Sequence, residues 1–531
     1  MAPDENDARS VSEGSVLQAD VAIVGSGPAG ISAALALARA GAKVLLLERG
    51  PRDPAQAPRS FVEGESVGDS YFPLPTTRAA GFAGTSALWI PGMFRTAPLT
   101  PLDFESRPGV PNSGWPITRA MLNPYYEQAV PWCGMGRWDF TPGGWQSADR
   151  QPLPFTTDAV QTVVFQSASA DTWLNRYAEV TSASNLRLLC HACVVDVRTG
   201  NDRCRVERLR VRTLNGAEFE IASRVVVLAA GGLENARLLL LSRDHHPNGL
   251  GNRHDLVGRF FQEHLALRGG IIRFSNQAMH DRMGLYFMHT HEGGTRAQGK
   301  LVVGEGTLRN RHLLGSAFFV TRVPGIRAGE SARSIAMLRR ALSWRPVPPD
   351  LPAHAGRVLR HFPTATRAVW DQVRRSAGPD TFQLLSESEQ SPNPDSRVTL
   401  SPSRTDVFGL PGLRLDWRTS ELDRHSIVES QRIIDRALRD SGLGQLDRKV
   451  GESSPPDSFA GHWHHMGTTR MSDDARQGVV DRNCRVHGVE NLFIAGSSVF
   501  PTSGYANPVL TIVALALRLA DHLGSELRRI A

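Results

Sequence analysis

The run Ala22-Ile23-Val24-Gly25-Ser26-Gly27-Pro28-Ala29-Gly30 constrains what this chain can fold into more than any other stretch. A short apolar strand, Val21 to Val24, breaks into a glycine turn that opens a helix from Ala29 to Ala40. Gly41 stops that helix, and a second apolar strand, Val44 to Leu47, ends in Glu48. A βαβ unit of this kind requires a parallel sheet with helices on its faces. Gly25, Gly27 and Gly30 stand where a dinucleotide fold needs a tight turn, a close backbone approach to pyrophosphate, and close packing of helix on strand. The helix N-terminus then faces the negative charge. Glu48 lies at about the separation from which an acid reaches a ribose hydroxyl. The motif does not separate a nicotinamide dinucleotide from a flavin.

At 531 residues the chain can bury a large core and is expected to form two interleaved domains. The formal charge of +7 rests almost wholly on arginine, since lysine occurs only at Lys43, Lys300 and Lys449. No block of like charges with interleaved aromatics appears, so a nucleic-acid partner is not expected. The start, Met1-Ala2-Pro3-Asp4-Glu5-Asn6-Asp7, has acids where a signal peptide would have a basic region. The longest apolar stretch, Val509 to Leu519, is too short for a span and contains Arg518, so no stable membrane anchor is expected. Five scattered cysteines argue for reduced thiols and a cytoplasmic location. Cys190 and Cys193 have redox or metal spacing, but they fall in a strand-like run, Leu186 to Val197, and read as core thiols.

Beyond the βαβ unit comes a second glycine loop, Gly81-Phe82-Ala83-Gly84-Thr85-Ser86-Ala87-Leu88-Trp89. Strand pairs over Leu186 to Val211 and Glu218 to Leu228 lead to Ala229-Ala230-Gly231-Gly232-Leu233-Glu234-Asn235, a strand, turn and helix. Alternating segments from Leu265 to about Trp417, including Arg397 to Leu400, suggest one antiparallel sheet, interrupted by an Arg- and Pro-rich stretch. The tail returns to βα character at Leu492 to Ala495, with a long helix from about Pro508. No internal repeat is present.

These blocks, together with Ser113-Gly114-Trp115-Pro116, Val257-Gly258-Arg259, Pro392 to Val398 and the tail from His464-His465-Met466-Gly467-Thr468-Thr469-Arg470, occur in a specific order. In that order the chain resembles the glucose-methanol-choline (GMC) family of flavin-dependent alcohol oxidoreductases, most closely its pyranose oxidase and bacterial sugar or glycoside branch. The resemblance implies an α/β fold: a Rossmann-like FAD-binding domain interleaved with a substrate domain built on an antiparallel sheet. The FAD-binding parts are expected at 15–95, 185–264 and 456–531. A connecting segment falls at 96–184, and the substrate domain at 265–455 with an insertion at 322–375.

The resemblance also implies roles for individual residues. His464, three residues before Gly467, falls where the family places its catalytic histidine, and Asn507 where it places a second His or Asn. A neutral imidazole can take a hydroxyl proton near neutral pH, whereas an amide can only bind and orient the oxygen. FAD is expected to lie on Gly25, Gly27, Gly30, Glu48, Gly84, Thr85, Ser86, Val194, Ala230, Gly231, Asn235, Gly496, Ser497, Pro508 and Val509. Pro508 suits the first turn of the last helix, whose positive end would stabilise negative charge on the reduced ring. Pyranose oxidase attaches its flavin through a histidine before a Trp; Leu88 precedes Trp89 here, and Ala83 replaces a glycine, so FAD is expected to be non-covalent.

Gln383, Glu387, Glu389 and Gln390 suit a polyol on the substrate side, with a solvated strand end as the plain alternative. His465 rivals His464 as the base, and His264 reads as structural. A metal on His462, His464 and His465 is not expected, because no acid or cysteine has partner spacing. The expected reaction is oxidation of a secondary alcohol of a sugar or glycoside to a ketone. The rivals are a non-sugar alcohol such as a sterol, or a catalytically silent flavin protein. Oxygen, quinone or another electron acceptor is not encoded. Within the insertion, Ile335, Leu338 and Leu342 at helical spacing with Arg339 and Arg340 fit a helix packed on its own sheet, a subunit contact of a homo-oligomer, an active-site cover or, less readily, a membrane surface.

Overall fold

The computed structural model describes residues 6–89, 95–291, 294–323, 381–448 and 460–530. Most of the 322–375 insertion, including its helical-spaced leucines, lies outside the described residues. Val21 to Val24 of β1 (Val16–Val24) are buried on both faces, as a central parallel strand requires. β1 pairs in parallel with β2 (Val44–Leu47) and β8 (Glu218–Leu228). β2 continues in parallel to β5 (Leu186–Leu189), and β17 (Leu492–Ile494) runs parallel to the far half of β8. β6 (Cys193–Thr199) and β7 (Val206–Arg212) complete the sheet as an antiparallel edge. Helix α1 (Pro28–Arg39) starts with Gly27 extended and Pro28 in its first turn, and Gly41 at φ +94° ends it in the left-handed conformation. α1 packs beside the C-terminal helix, which in turn packs on α2 (Arg119–Trp132).

The second sheet is antiparallel. Its order is β10 (His289–Thr290), β11 (Arg296–Val303), β12 (Ser316–Val323), β13 (Thr381–Ser388), β9 (Leu265–Phe274) and β16 (Gly444–Arg448), with β4 (Val160–Ser167) also on β11. It has its own core of Phe318, Leu384, Ile272 and Leu446 with Ile434 and Leu438 of the long helix over Glu421–Asp440. The expected fold class is therefore the observed one.

Two strand expectations need correction. Leu186 to Val197 is not one strand: His191 takes φ +59°, so the chain turns between β5 and β6, which join different partners. Arg397 to Leu400 does not extend the large sheet. It belongs to β14 (Arg397–Thr405), which with β15 (Pro411–Trp417) and β3 (Gly64–Gly68) makes a separate three-stranded sheet. Alternation reports a half-buried strand but not its partner. Among the described residues no helix is long and apolar enough to cross a membrane.

Candidate active site

The glycine loops converge at the ends of β1, β8 and β17. A Cβ on Gly25 would lie 2.5 Å from the Ala229 carbonyl oxygen, and one on Gly30 would lie 1.9 Å from that of Gly25. These two glycines bring strand, turn and helix together. Gly27 is different: among the described residues a Cβ there would meet nothing closer than the Ala83 oxygen at 4.0 Å, and around Gly231 a Cβ would meet nothing at all within 4 Å. Gly84 closes the same hollow, its Cβ position 3.3 Å from Gly27 Cα, and Gly496 at φ +121° approaches Ala29. No side chain caps α1, so its first N–H groups face this hollow. An open cradle beside an uncapped helix N-terminus fits a dinucleotide pyrophosphate.

Glu48 accepts from Ser26 N–H (3.1 Å) and Oγ (2.8 Å) and from the N–H groups of Gly50 (3.0 Å) and Gly81 (2.9 Å), which fixes its carboxylate at the tip of β2. Asn235 accepts from Ala230 N–H at 2.8 Å and donates to Ser498 Oγ at 3.0 Å, tying two loops together. Ser497 Oγ donates to the His465 carbonyl at 2.7 Å. Thr85 and Ser86 lie in the 3₁₀ turn Gly84–Leu88, entered through Ala83 at φ +70°, so the alanine holds the left-handed conformation that a glycine would take freely. Val194 lies at a bulge in β6. Pro508 accepts from Ile512 N–H at 2.8 Å and so begins the turn of α3 (Val509–Ile530), where the sequence expects it.

His464 lies on an extended segment that runs antiparallel to the start of β9. Backbone pairs join Gln262 with Met466 and Ala266 with Ala460, which sets His264 opposite His464. Glu263, between them, accepts from the N–H groups of His462 and Trp463 and draws the segment into a bend with Trp463 at φ +65°. Gly461 is needed there, because a Cβ would lie 2.3 Å from Glu263 Oε2. The two imidazoles meet Nδ1 to Nδ1 at 2.9 Å, and His264 Nε2 lies 3.4 Å from the Ser503 carbonyl. A carbonyl only accepts, so His264 carries its hydrogen on Nε2 and accepts at Nδ1. His464 therefore donates from Nδ1, and its Nε2 keeps a lone pair. That lone pair faces Asn507 Nδ2 at 3.4 Å.

Asn507 also donates from Nδ2 to Glu387 Oε1 at 2.7 Å, while its buried Oδ1 has no hydrogen-bond partner among the described residues. Thr96 Oγ1 holds the Asn507 carbonyl at 2.8 Å. The other carboxylate oxygen of Glu387 accepts from Lys300 Nζ at 2.6 Å, and that ammonium is fully buried, 3.6 Å from the centre of the Phe165 ring. Burial, and then the neighbouring His264, hold the His464 imidazole well below its ordinary range. Burial brings His264 down to about 4 and His465 to about 3. For Glu387 burial alone would favour the acid form, but Lys300 and the surrounding histidines outweigh it and keep the carboxylate charged. Glu263 goes the other way, pushed up to about 8 by burial despite its backbone donors. The result is a neutral imidazole beside a buried ion pair.

Several sequence readings change here. His264, expected to be structural, is in contact with His464. His465 is not beside the pair: its Nε2 meets Tyr71 Oη at 3.0 Å and its ring packs on Phe261. Of the substrate candidates on β13, Gln383 and Glu387 share a face, as the alternation requires. Glu389 lies past the strand end and is fully buried in an ion pair with Arg107, also accepting from Gly315 N–H, so it is committed to structure. Gln390 likewise accepts from Glu263 N–H and Trp417 Nε1. The metal reading was set aside for want of an acid, and the fold does bring one: His264, Glu387 and His464 place ligand atoms within 4.8 Å of one another. Both Glu387 oxygens are already taken by Asn507 and by a buried cation, which opposes a metal ion there. Lys300 was missed altogether. Its signal was rarity, one of three lysines in an arginine-rich chain, set in the apolar run Leu301-Val302-Val303.

Comparison with known proteins agrees with this geometry. A model described as FAD dependent oxidoreductase matches residues 20–394, and a GMC oxidoreductase model matches residues 392–516. The chain is 26% identical to 2-methyl-1,2-propanediol dehydrogenase of Mycolicibacterium austroafricanum, covering 95% of each protein. Over 25% of each chain it is 34% identical to C-glycoside 3-oxidase of Arthrobacter globiformis. A solved formate oxidase variant of Aspergillus oryzae RIB40 shares the fold with a TM-score of 0.54 at 17% identity, over 98% of this chain and 100% of that one. With its glycine cradle at one end and a His–Asn pair at the other, the chain belongs to the FAD-dependent oxidoreductases of the GMC family.

Proposed function

We propose that this enzyme oxidises a secondary hydroxyl of a sugar or glycoside to a ketone, with His464 as base and Asn507 as the group that orients the substrate oxygen. The observation that carries this reading is the setting of His464: Nδ1 meets His264 Nδ1 at 2.9 Å, which leaves Nε2 facing Asn507 Nδ2 at 3.4 Å. FAD bound non-covalently on the glycine cradle would supply the two-electron acceptor for hydride from the carbinol carbon. His464 Nε2 removes the hydroxyl proton, so that the alcohol loses one proton and one hydride and leaves as the ketone. The new imidazolium lies near the Glu387 carboxylate, which favours it. Asn507, whose carbonyl is held by Thr96, presents its amide beside the same nitrogen. The N-terminus of α3 begins two residues later and would favour negative charge on the reduced cofactor.

A polyhydroxylated substrate is supported by the glycoside oxidase and the diol dehydrogenase among the relatives. The full-length likeness to the latter favours a second reading, a small non-sugar diol. The odd count of five scattered cysteines supports work in the cytoplasm. Anaerobic mixing of the purified yellow protein with glycosides, free sugars, small diols, sterols and short alcohols tests the reading. Glycosides are expected to bleach the flavin fastest. Faster bleaching by diols or sterols would replace the substrate class, and no bleaching by any alcohol would leave a silent flavin protein.

A further inference from the structure

We propose that Lys300 and Glu387 form a buried positioning pair that sets the orientation of the Asn507 amide and the proton affinity of His464. The proposal rests on the His–Asn reading above and adds two residues from the antiparallel sheet to it. β11 and β13 are not adjacent, yet their side chains meet beneath Asn507: Lys300 Nζ on Glu387 Oε2 at 2.6 Å, Asn507 Nδ2 on Glu387 Oε1 at 2.7 Å. Lys300 has no exposed surface, and Phe165 caps its ammonium.

An amide has two faces that differ only in whether nitrogen or oxygen points a given way, and nothing within Asn507 selects between them. Glu387 does. Its Oε1 is an acceptor only, so the amide nitrogen must face it, and the second hydrogen of that nitrogen is left for His464 Nε2 or for a substrate oxygen at the same place. Rotated by half a turn, the amide would set Oδ1 against a carboxylate oxygen, which is repulsive. Asn507 is thereby locked as a donor toward the reacting hydroxyl. A lone buried carboxylate would be too costly to hold there, and Lys300 is the partner that keeps it ionised.

The second effect is electrostatic. Glu387 is approached by Lys300, Asn507, His264, His462 and His464, with Arg95 further out. It is the charged acid of this group and favours the imidazolium that forms on His464. Lys300 keeps that charge in place. Removal of the acid lowers the proton affinity of His464, and removal of the lysine, which leaves the buried carboxylate to take up a proton, lowers it as well. A residue that merely fills space would move neither.

Glu387→Gln, Lys300→Met, the double variant and Glu387→Asp would be compared with the wild type by thermal unfolding, FAD content, histidine-selective ¹⁵N NMR titration without substrate, and anaerobic flavin reduction. Glu387→Gln, whose single carbonyl must serve Lys300, leaves an amide nitrogen against Asn507 and turns that amide over. Its limiting reduction rate is expected to fall at least tenfold with FAD and fold retained, and its acid limb and the His464 titration to move to lower pH. Lys300→Met, in which the unpaired buried carboxylate takes up a proton, is expected to move both to lower pH as well, and Glu387→Asp to recover part of the rate. If Lys300→Met does not fold, the double variant, which leaves no buried charge unpaired, takes its place and is expected to behave as Glu387→Gln. A Glu387→Gln enzyme with wild-type reduction rate and an unmoved His464 titration would overturn the proposal. So would a rise in substrate KM at unchanged limiting rate, which would make Glu387 a substrate ligand. Because the NMR titration needs no substrate, an error in the substrate class would show as absent bleaching in the wild type while the titration shifts remain.

Discussion

Gly27 and Gly30 belong to one motif but are expected to fail in opposite ways when each gains a methyl group. A Cβ at position 30 would lie 1.9 Å from a backbone oxygen of Gly25, far inside the roughly 3.5 Å at which non-bonded atoms rest. Neither partner is a side chain that can swing away, so α1 has to retreat from β1. Overpacking of this kind costs about 1–3 kcal/mol, and the upper end applies where backbone meets backbone. At about 2.1 cal/mol/K of unfolding entropy per residue a 531-residue chain shifts by roughly 1 °C per kcal/mol, so FAD-free Gly30→Ala should melt about 3 °C below the wild type. Gly27 has φ −72° and ψ −177°, which alanine adopts without strain, and open space ahead of it. FAD-free Gly27→Ala should therefore be unchanged or stabilised by about 0.4–1 kcal/mol, because alanine restricts the unfolded chain. Its defect should appear only with the cofactor. A methyl group in the cradle displaces the pyrophosphate from backbone donors worth about 1.5–3 kcal/mol each, so loss of one such bond weakens FAD binding by roughly ten- to over a hundredfold. Thermal unfolding of the FAD-free proteins and fluorescence titration with FAD separate the two. Equal destabilisation of the two FAD-free variants, or wild-type FAD affinity in Gly27→Ala, would refute the assignment of Gly27 to the cofactor and Gly30 to packing.

Other outcomes follow from the His–Asn site. His464→Ala should slow flavin reduction by roughly two to four orders of magnitude with FAD still bound, whereas His465→Ala should disturb the contact with Tyr71 and leave the reduction step largely intact; the reverse result would move the base by one residue. The base must be unprotonated to act and its proton affinity is lowered, so kcat/KM should stay level as pH falls through 6.5 and decline only below it; a decline centred at or above 6.5 would count against His464. Acid or heat should release FAD from the polypeptide, since Leu88 precedes Trp89, and colour retained by the denatured chain would show a covalent link. The FAD-free protein should lose stability as pH falls from 6.5 toward 4, because His264 and His465 are held neutral in the fold and take up protons on unfolding in that window; denaturant midpoints that rise instead would show the sign to be wrong.

What the sequence by itself determined is what local chemistry encodes. The βαβ unit is legible because its turn, its helix start and its two strands lie within one short stretch, and because only glycine tolerates the contacts at positions 25 and 30. His464 and Asn507 are legible as family motifs, and Pro508 as a first-turn residue. The tertiary structure decided the rest. His264 meets His464 through backbone pairing across 200 residues of sequence separation, and Lys300 meets Glu387 across 87, distances at which no periodicity or spacing carries a signal. The sequence offers Gln383, Glu387, Glu389 and Gln390 together, but the strand ends at Ser388, so Glu389 leaves the face of Gln383 and Glu387 and turns to Arg107. The run from Leu186 to Val197 looks continuous because both of its strands are apolar; only the positive φ at His191 shows where the chain changes partner. A motif names a base. The field and the hydrogen bonds that make it one come from groups that only folding brings together.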